Sequence, residues 1–120
     1  MPKRSTSSFR QLGKKGEELA ACYLQNRGYE ILCRNYQFER TEIDIIARSG
    51  SVLVFVEVKS RSSNAFGYPE TFVKATKQAH IKRAAENFIL QTNWHGEIRF
   101  DIIAITWTLP PEITHFEDAF

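Results

Sequence analysis

The sequence predicts an α/β fold: one mixed β-sheet with helices on both faces, its elements in the order α-β-β-β-α-β. Three observations point there. Apolar residues between Leu12 and Leu24 recur at three- and four-residue spacing, as on one face of a helix. The run Val52-Leu-Val-Phe-Val-Glu-Val-Lys59 is almost continuous in β-branched and aromatic residues, as in a central strand covered on both faces. A second helical stripe then separates that run from a further strand, as a crossover between parallel strands requires.

The elements follow in order. Leu12, Gly16, Leu19, Ala20, Tyr23 and Leu24 place the first helix at about 13–27, and Gly28 supplies a left-handed stop. Tyr29–Phe38 and Glu42–Ala47 are the first two strands, and Arg48-Ser49-Gly50-Ser51 has turn chemistry before the third strand at Val52. Ser60–Pro69 is polar, contains Gly67 and Pro69, and is expected to be a loop. The second helix spans about Thr76–Gln91, with Ile81, Ala84, Ala85, Phe88 and Ile89 as its apolar stripe and Thr76 as its cap. The fourth strand, about Glu97–Trp107, carries Ile98, Phe100, Ile102, Ala104 and Thr106 on one face. Arg99 and Asp101 fall on the other with Ile103, a spacing that suits an ion pair near the sheet edge.

Composition narrows the function classes. With 120 residues the chain holds one domain, read as a basic flexible arm at 1–11, a folded body at 12–108 and a C-terminal tail at 109–120. The longest unbroken aliphatic and aromatic run is five residues, Val52–Val56, against the roughly 20 that a membrane span needs. No apolar segment of secretory type follows the first basic residues, so a cytoplasmic protein is expected. Cys22 and Cys33 lack metal-ligand spacing and read as half-buried thiols in a reducing compartment, with a single bridge between them as the alternative. Residues 1–15 hold Lys3, Arg4, Arg10, Lys14 and Lys15 and no acid, which fits contact with a polyanion, a solvated tail, or a short transit peptide.

The chemistry is carried by acids placed inside the best strands. Asp44 interrupts Ile43-Ile45-Ile46, and Glu57 and Lys59 flank Val58. Carboxylates in a central strand are expensive to bury without compensation. Alternation puts Leu53, Phe55, Glu57 and Lys59 on one face of the third strand, and Glu42, Asp44 and Ile46 on one face of the second. Two hairpin registers unite these faces. One pairs Asp44 with Glu57 and leaves 49–52 as the turn; the other, with Ser49-Gly50 as its loop, pairs Glu42 with Glu57. Opposed carboxylates repel, and a hard divalent cation removes the penalty. Lys59 on the same side can steady developing negative charge or position water. The competing reading is a buried Glu57–Lys59 or Asp44–Lys59 ion pair that only fixes register.

Asp44…Glu57-Val58-Lys59 resembles the PD-(D/E)xK nuclease signature, whose core is that of restriction endonucleases and Holliday-junction resolvases. The whole chain is similar to the YraN-like family of uncharacterised bacterial proteins. The matching motifs are Gly13-x-x-Gly16-Glu17-x-x-Ala20, Arg34-Asn35-Tyr36, Glu42-Ile43-Asp44-Ile45-Ile46, Phe55-Val56-Glu57-Val58-Lys59-x-Arg61, Phe66-Gly67, Lys77-Gln78 and Arg99-Phe100-Asp101. Thr41 departs from the pattern, which usually has Gly before Glu-Ile-Asp. The resemblance implies a restriction endonuclease-like core and a Mg²⁺ or Mn²⁺ site on Asp44 and Glu57. It implies Lys59 as third signature residue, and Glu17 as the carboxylate that resolvase-like members add from a helix. Glu17 also suits the positive end of the expected helix. The implied activity is metal-dependent endonucleolytic cleavage of DNA, branched or damaged, by a homodimer, because resolvases of this fold cut two strands as dimers.

Around these acids, Arg34, Arg40, Arg48 and Arg61 sit near strand ends and loops, and Lys77 lies near the second helix's start, all placed to neutralise phosphates. Lys74, Lys77, Lys82 and Arg83 also read as a solvated helix face. His80, His95 and His115 have no ligand spacing and are expected on surfaces or helix faces. Trp94 and Trp107 lack the spacing of a stacking platform for single strands. Beside the nuclease stand two other readings: a non-catalytic module of the same fold that binds nucleic acid or a repair partner, and a structural protein with no nucleic-acid role.

Overall fold

The computed structural model describes residues 6–61 and 73–120. Its elements are α1 (Thr6–Asn26), β1 (Glu30–Phe38), β2 (Thr41–Ser49), β3 (Val52–Arg61), α2 (Ala75–Thr92), β4 (Glu97–Thr106) and β5 (Glu112–Phe116). The strands form one sheet in the order β1-β2-β3-β4-β5. β3 and β4 are parallel, joined through α2, and every other neighbouring pair is antiparallel. This is the expected mixed α/β architecture with one strand added.

Several boundaries differ from the sequence reading for physical reasons. α1 begins at Thr6, not near 13, so its basic N-terminal half is helical backbone and Glu17 sits about three turns inside. Glu17 therefore owes nothing to the helix's positive end. α1 stops as expected. Gly28 adopts φ 88°, its N–H donates to Gln25 O, and the Tyr29 N–H donates to Leu24 O, the paired bonds of a glycine-terminated helix. Ser60 and Arg61 complete β3 instead of opening a loop; the rest of that loop, with Phe66-Gly67, lies outside the described residues, as do Lys3 and Arg4. Thr76 does not cap α2. Lys74 holds the cap position without a side-chain bond, and Gln78 Nε2 donates to Val73 O at 2.9 Å.

The β2–β3 turn has two residues, where the register that sets Asp44 against Glu57 was expected to need the four-residue loop 49–52. Ser49 already pairs with Val52, leaving only Gly50-Ser51, with Gly50 at φ 59°. Neither cysteine is bridged, and Cys22 is exposed.

Both faces of the sheet are covered. Ile46, Leu53, Phe55, Phe100 and Ile102 pack against Ile81, Ala84, Ala85 and Phe88 of α2. On the other side Ile45, Ala47, Val54, Val56, Ile103 and Ile105 meet Ala20, Ala21 and Leu24 of α1. Small residues let α1 approach closely: a Cβ on Gly16 would stand 2.7 Å from Ser60 Oγ. That approach brings Glu17 to the end of β3.

The segment expected as a tail forms β5 and closes the sheet over β4. Asp101 is consequently interior, not near an edge, with no exposed surface. Arg99 Nε and Nη2 donate to its two oxygens at 2.9 Å each, the Asp118 N–H donates at 3.0 Å, and His115 Nε2 lies 2.7 Å away. His115 is thus buried against Asp101 and is not a surface residue. Burial alone would push the Asp101 carboxyl up, but bonds from His115, Arg99 and Asp118, with the Arg99 charge, hold it below its ordinary value.

Asp101→Ala should cost about 2–3 kcal/mol in urea unfolding at pH 7, because it removes the shared acceptor of Arg99, His115 and the Asp118 N–H. A depressed carboxyl stabilises the fold above its unfolded value and loses that contribution as pH falls through the folded one. Wild-type stability should therefore drop below about pH 4, and the variant should lack this part of the acid transition. Gly16→Ala should be near neutral, since the exposed Ser60 can turn its hydroxyl aside and alanine favours the helix. Gly16→Leu should cost about 1–3 kcal/mol by forcing α1 off β3.

Candidate metal centre

The site begins with a fault in the sheet. Along β2, Ile45 and Ala47 face α1 while Ile46 faces α2, the ordinary alternation. Ile43 should then face α1, yet it packs in the α2 layer. On β1 the same happens: Arg34 pairs with Ile45, Tyr36 pairs with Ile43 and joins the α2 layer, and Asn35 between them adopts φ 54°. Both strands reset their facing where Asn35 and Asp44 meet. Asparagine tolerates this left-handed backbone better than most residues.

The fault decides where the acids go. The β2–β3 ladder ends at Ile45–Val56, so Asp44 and Glu57 are next in register, the first of the two registers anticipated. The Val58 N–H donates to Asp44 Oδ2 at 2.7 Å instead of to a strand carbonyl. Beyond the fault Glu42 comes to the α1 side, where Asn35 Nδ2 donates to both Glu17 Oε1 at 2.8 Å and Glu42 Oε1 at 2.9 Å. Carboxylate oxygens of Glu17, Glu42 and Asp44 all lie within 4.8 Å of one another.

Glu57 completes the cluster from β3, 6% exposed. Lys77 Nζ of α2 stands 3.2 Å from its Oε2 as an ion pair outside hydrogen-bond alignment, so among the described residues this buried oxygen has an ionic partner and no aligned hydrogen bond. Burial, then a hydrogen bond with the Glu57 carboxyl and its charge, push Asp44 up to about 9 against the pull of the Val58 N–H. Burial and the Lys77 charge pull Lys59 down, while Glu57 and Asp44 act the other way. Lys77 itself is held up, the neighbouring Glu57 outweighing the effect of its own burial.

Among the described residues four carboxyl groups thus face two ammonium groups, so acids outnumber bases. The donors are all hard oxygens, and a buried one among them, Glu57 Oε2, is held by an ion pair without an aligned hydrogen bond. Such a set suits Mg²⁺ or Mn²⁺, which prefer carboxylates and water. Arg40, Thr41, Glu42, Asp44, Glu57, Lys77 and His80 line an open cleft of about 490 Å³ above the acids.

Of the residues singled out in the sequence, Asp44, Glu57, Glu17 and Lys59 come together. Arg40 joins them on the cleft wall. Arg34 is exposed on β1. Arg61 is committed elsewhere, its Nε donating to Thr106 Oγ1 at 2.8 Å. Arg48 is also distant in role, paired with Glu30 at 3.1 Å. The ion pair on Glu57 comes from Lys77, not from Lys59 as the register-fixing alternative supposed. Glu42 and Asn35 were missed as site residues. The signal for Asn35 was a turn-forming residue in mid-strand; alternation did set Glu42 on the face of Asp44, but it gave no hint of the fault that carries Glu42 to the side of Glu17.

The sequence model of uncharacterised protein family UPF0102 matches residues 16–105, a span that contains every acid of the centre. A UPF0102 protein of Flavobacterium psychrophilum is 47% identical over 110 residues, covering 91% of this chain and 92% of its own length. One from Chlorobium chlorochromatii is 46% identical over 117 residues, covering 92% and 91%. One from Caldicellulosiruptor saccharolyticus is 45% identical over 105 residues, covering 87% and 89%. The chain belongs to uncharacterised protein family UPF0102, the YraN-like family that its motifs resemble.

Proposed function

We propose that this chain is a cytoplasmic metal-dependent endonuclease that hydrolyses phosphodiester bonds in DNA. One observation carries the reading: Asp44 and Glu57 are buried side by side at the floor of an open cleft, and among the described residues Glu57 Oε2 has an ion pair to Lys77 but no aligned hydrogen bond. A structural acid would be given a full set of partners, as Asp101 is. No helix among the described residues is long and apolar enough to cross a membrane.

In this mechanism Asp44, Glu57 and Glu17 hold Mg²⁺ or Mn²⁺, and Glu42 lies close enough to join them. The cation, when bound, polarises the phosphoryl group and acidifies a water. The chain does the rest. The Val58 N–H fixes the Asp44 carboxylate, and Asn35 fixes Glu17 and Glu42, so the oxygens need little rearrangement to bind. Lys59, beside the acids, orients the attacking water and steadies charge that develops on phosphorus oxygens. Arg40 on the cleft wall and Arg34 on β1 neutralise flanking phosphates. Among the described residues nothing resembles a base-reading helix, so a branched or damaged DNA recognised by shape is the proposed substrate, cut by a homodimer.

Pure protein with Mg²⁺ or Mn²⁺ should cut branched or nicked DNA in preference to intact linear duplex. Asp44→Asn and Glu57→Gln should each abolish cutting while leaving salt-sensitive DNA binding in place. If the unaltered protein demonstrably holds metal yet cuts none of these, the enzyme reading fails, and retained DNA binding would favour a non-catalytic module.

Mn²⁺ at 100 times its dissociation constant should stabilise the wild type by about 2.7 kcal/mol in thermal melts. Asp44→Asn should lose that shift. Without metal the same variant should melt higher than wild type, because one of two abutting buried acids is gone.

A further inference from the structure

The side chain that blocks the centre is Lys77. It is half exposed, extends from the third residue of α2, and places Nζ 3.2 Å from Glu57 Oε2. Glu57 itself is almost fully buried, so the ammonium reaches down to it from the cleft. A magnesium ion on that oxygen would sit about 2.0–2.1 Å away. An ammonium and a divalent cation cannot both face one carboxylate oxygen at such distances without strong repulsion.

The contact is also of a kind that yields. It lacks hydrogen-bond alignment, and lysine is a point charge on a flexible four-carbon stem. The space into which Lys77 can swing is the cleft, where Arg40 and His80 form the wall. No acid lies in the first turn of α2, so at that end of the cleft the helix terminus and Arg40 favour a phosphate, while the floor is acidic.

We propose that Lys77 is a built-in counter-ion that competes with the divalent cation for Glu57 and is displaced onto a phosphate of the nucleic acid. The inference rests on the metal-centre reading above. Its consequence is linkage: metal and phosphate bind cooperatively, each raising affinity for the other by the same factor. In the empty protein Lys77 shields Glu57; in the loaded one it contacts the substrate, so it is a positioning residue for both.

The test measures Mn²⁺ binding to the full chain by calorimetry and by the electron paramagnetic resonance of free Mn²⁺, without cleavage as a readout. Without DNA, Lys77→Met should bind Mn²⁺ about tenfold more tightly than wild type, and Lys77→Arg should bind no more tightly. A short nicked duplex should raise the wild-type Mn²⁺ affinity and raise that of Lys77→Met much less. The salt dependence of duplex binding in Mn²⁺ should fall by about one phosphate contact, a slope change of about 0.9, in Lys77→Met.

Equal or weaker Mn²⁺ binding by a folded Lys77→Met protein overturns the proposal and leaves the metal centre standing. No Mn²⁺ binding by either protein overturns both. Should Lys77→Met fail to fold, the wild type decides alone: Mn²⁺ affinity unchanged by the duplex overturns the proposal.

Discussion

Two carboxyl groups buried against each other, with too few partners for both to be charged, are the constraint on which the rest of this structure depends. The molecule contains its own control. Asp101 is wholly buried, yet bonds from Arg99, His115 and the Asp118 N–H hold its carboxyl below the ordinary range. Asp44 is nearly as buried and moves the opposite way, because burial pushes it up and its neighbours Glu57 and Glu17 add to that push. Two aspartates in one sheet, on strands separated only by β3, thus have environments of opposite sign. The first arrangement is what stability favours. The second lowers stability in the empty protein and makes sense where something outside the chain supplies positive charge.

The fully compensated cluster also explains how the strained one is tolerated. Asp101 ties β4 to the residues after β5, and Ala119 N–H returns to Phe100 O at 2.7 Å. β3, which carries Glu57, runs between β2 and β4 with aliphatic layers on both faces. A strand held this firmly cannot relax by turning Glu57 toward water, so the repulsion is retained at the cleft.

Much of this was legible in the residues, and what was not has a common cause. The six expected elements all form, because their signals were periodicity and turn chemistry, which act locally. The convergence of Asp44, Glu57 and Lys59 was legible because a central strand tolerates acids only with compensation. β5 was not, since Glu112-Ile-Thr-His-Phe116 is short and polar, and its pairing is set by β4. The burial of His115 depends on that same strand. α1 was shortened in the reading because its first residues lack apolar periodicity. Glu42 stood beside Asp44 in the reading, but its meeting with Glu17 did not, because alternation is a rule about regular strands and the site lies where two strands break it together.

That break has a topological consequence. α1 and α2 cover opposite faces of the sheet, so side chains from them are ordinarily kept apart by a continuous layer of backbone. Yet Glu17 of α1 reaches the neighbourhood of Asp44, and Lys77 of α2 reaches Glu57. Both contacts meet in one carboxyl pair only because the β2–β3 ladder stops at Ile45–Val56 and the strands beyond it part. The opening lets Asp44 turn its carboxylate between the strands to the Val58 N–H. A regular sheet with the same residues would place Glu42 and Asp44 together on the α2 side, out of reach of Glu17. The centre is therefore a property of the gap between two strands, and the asparagine that resets β1 is as much part of it as the acids themselves.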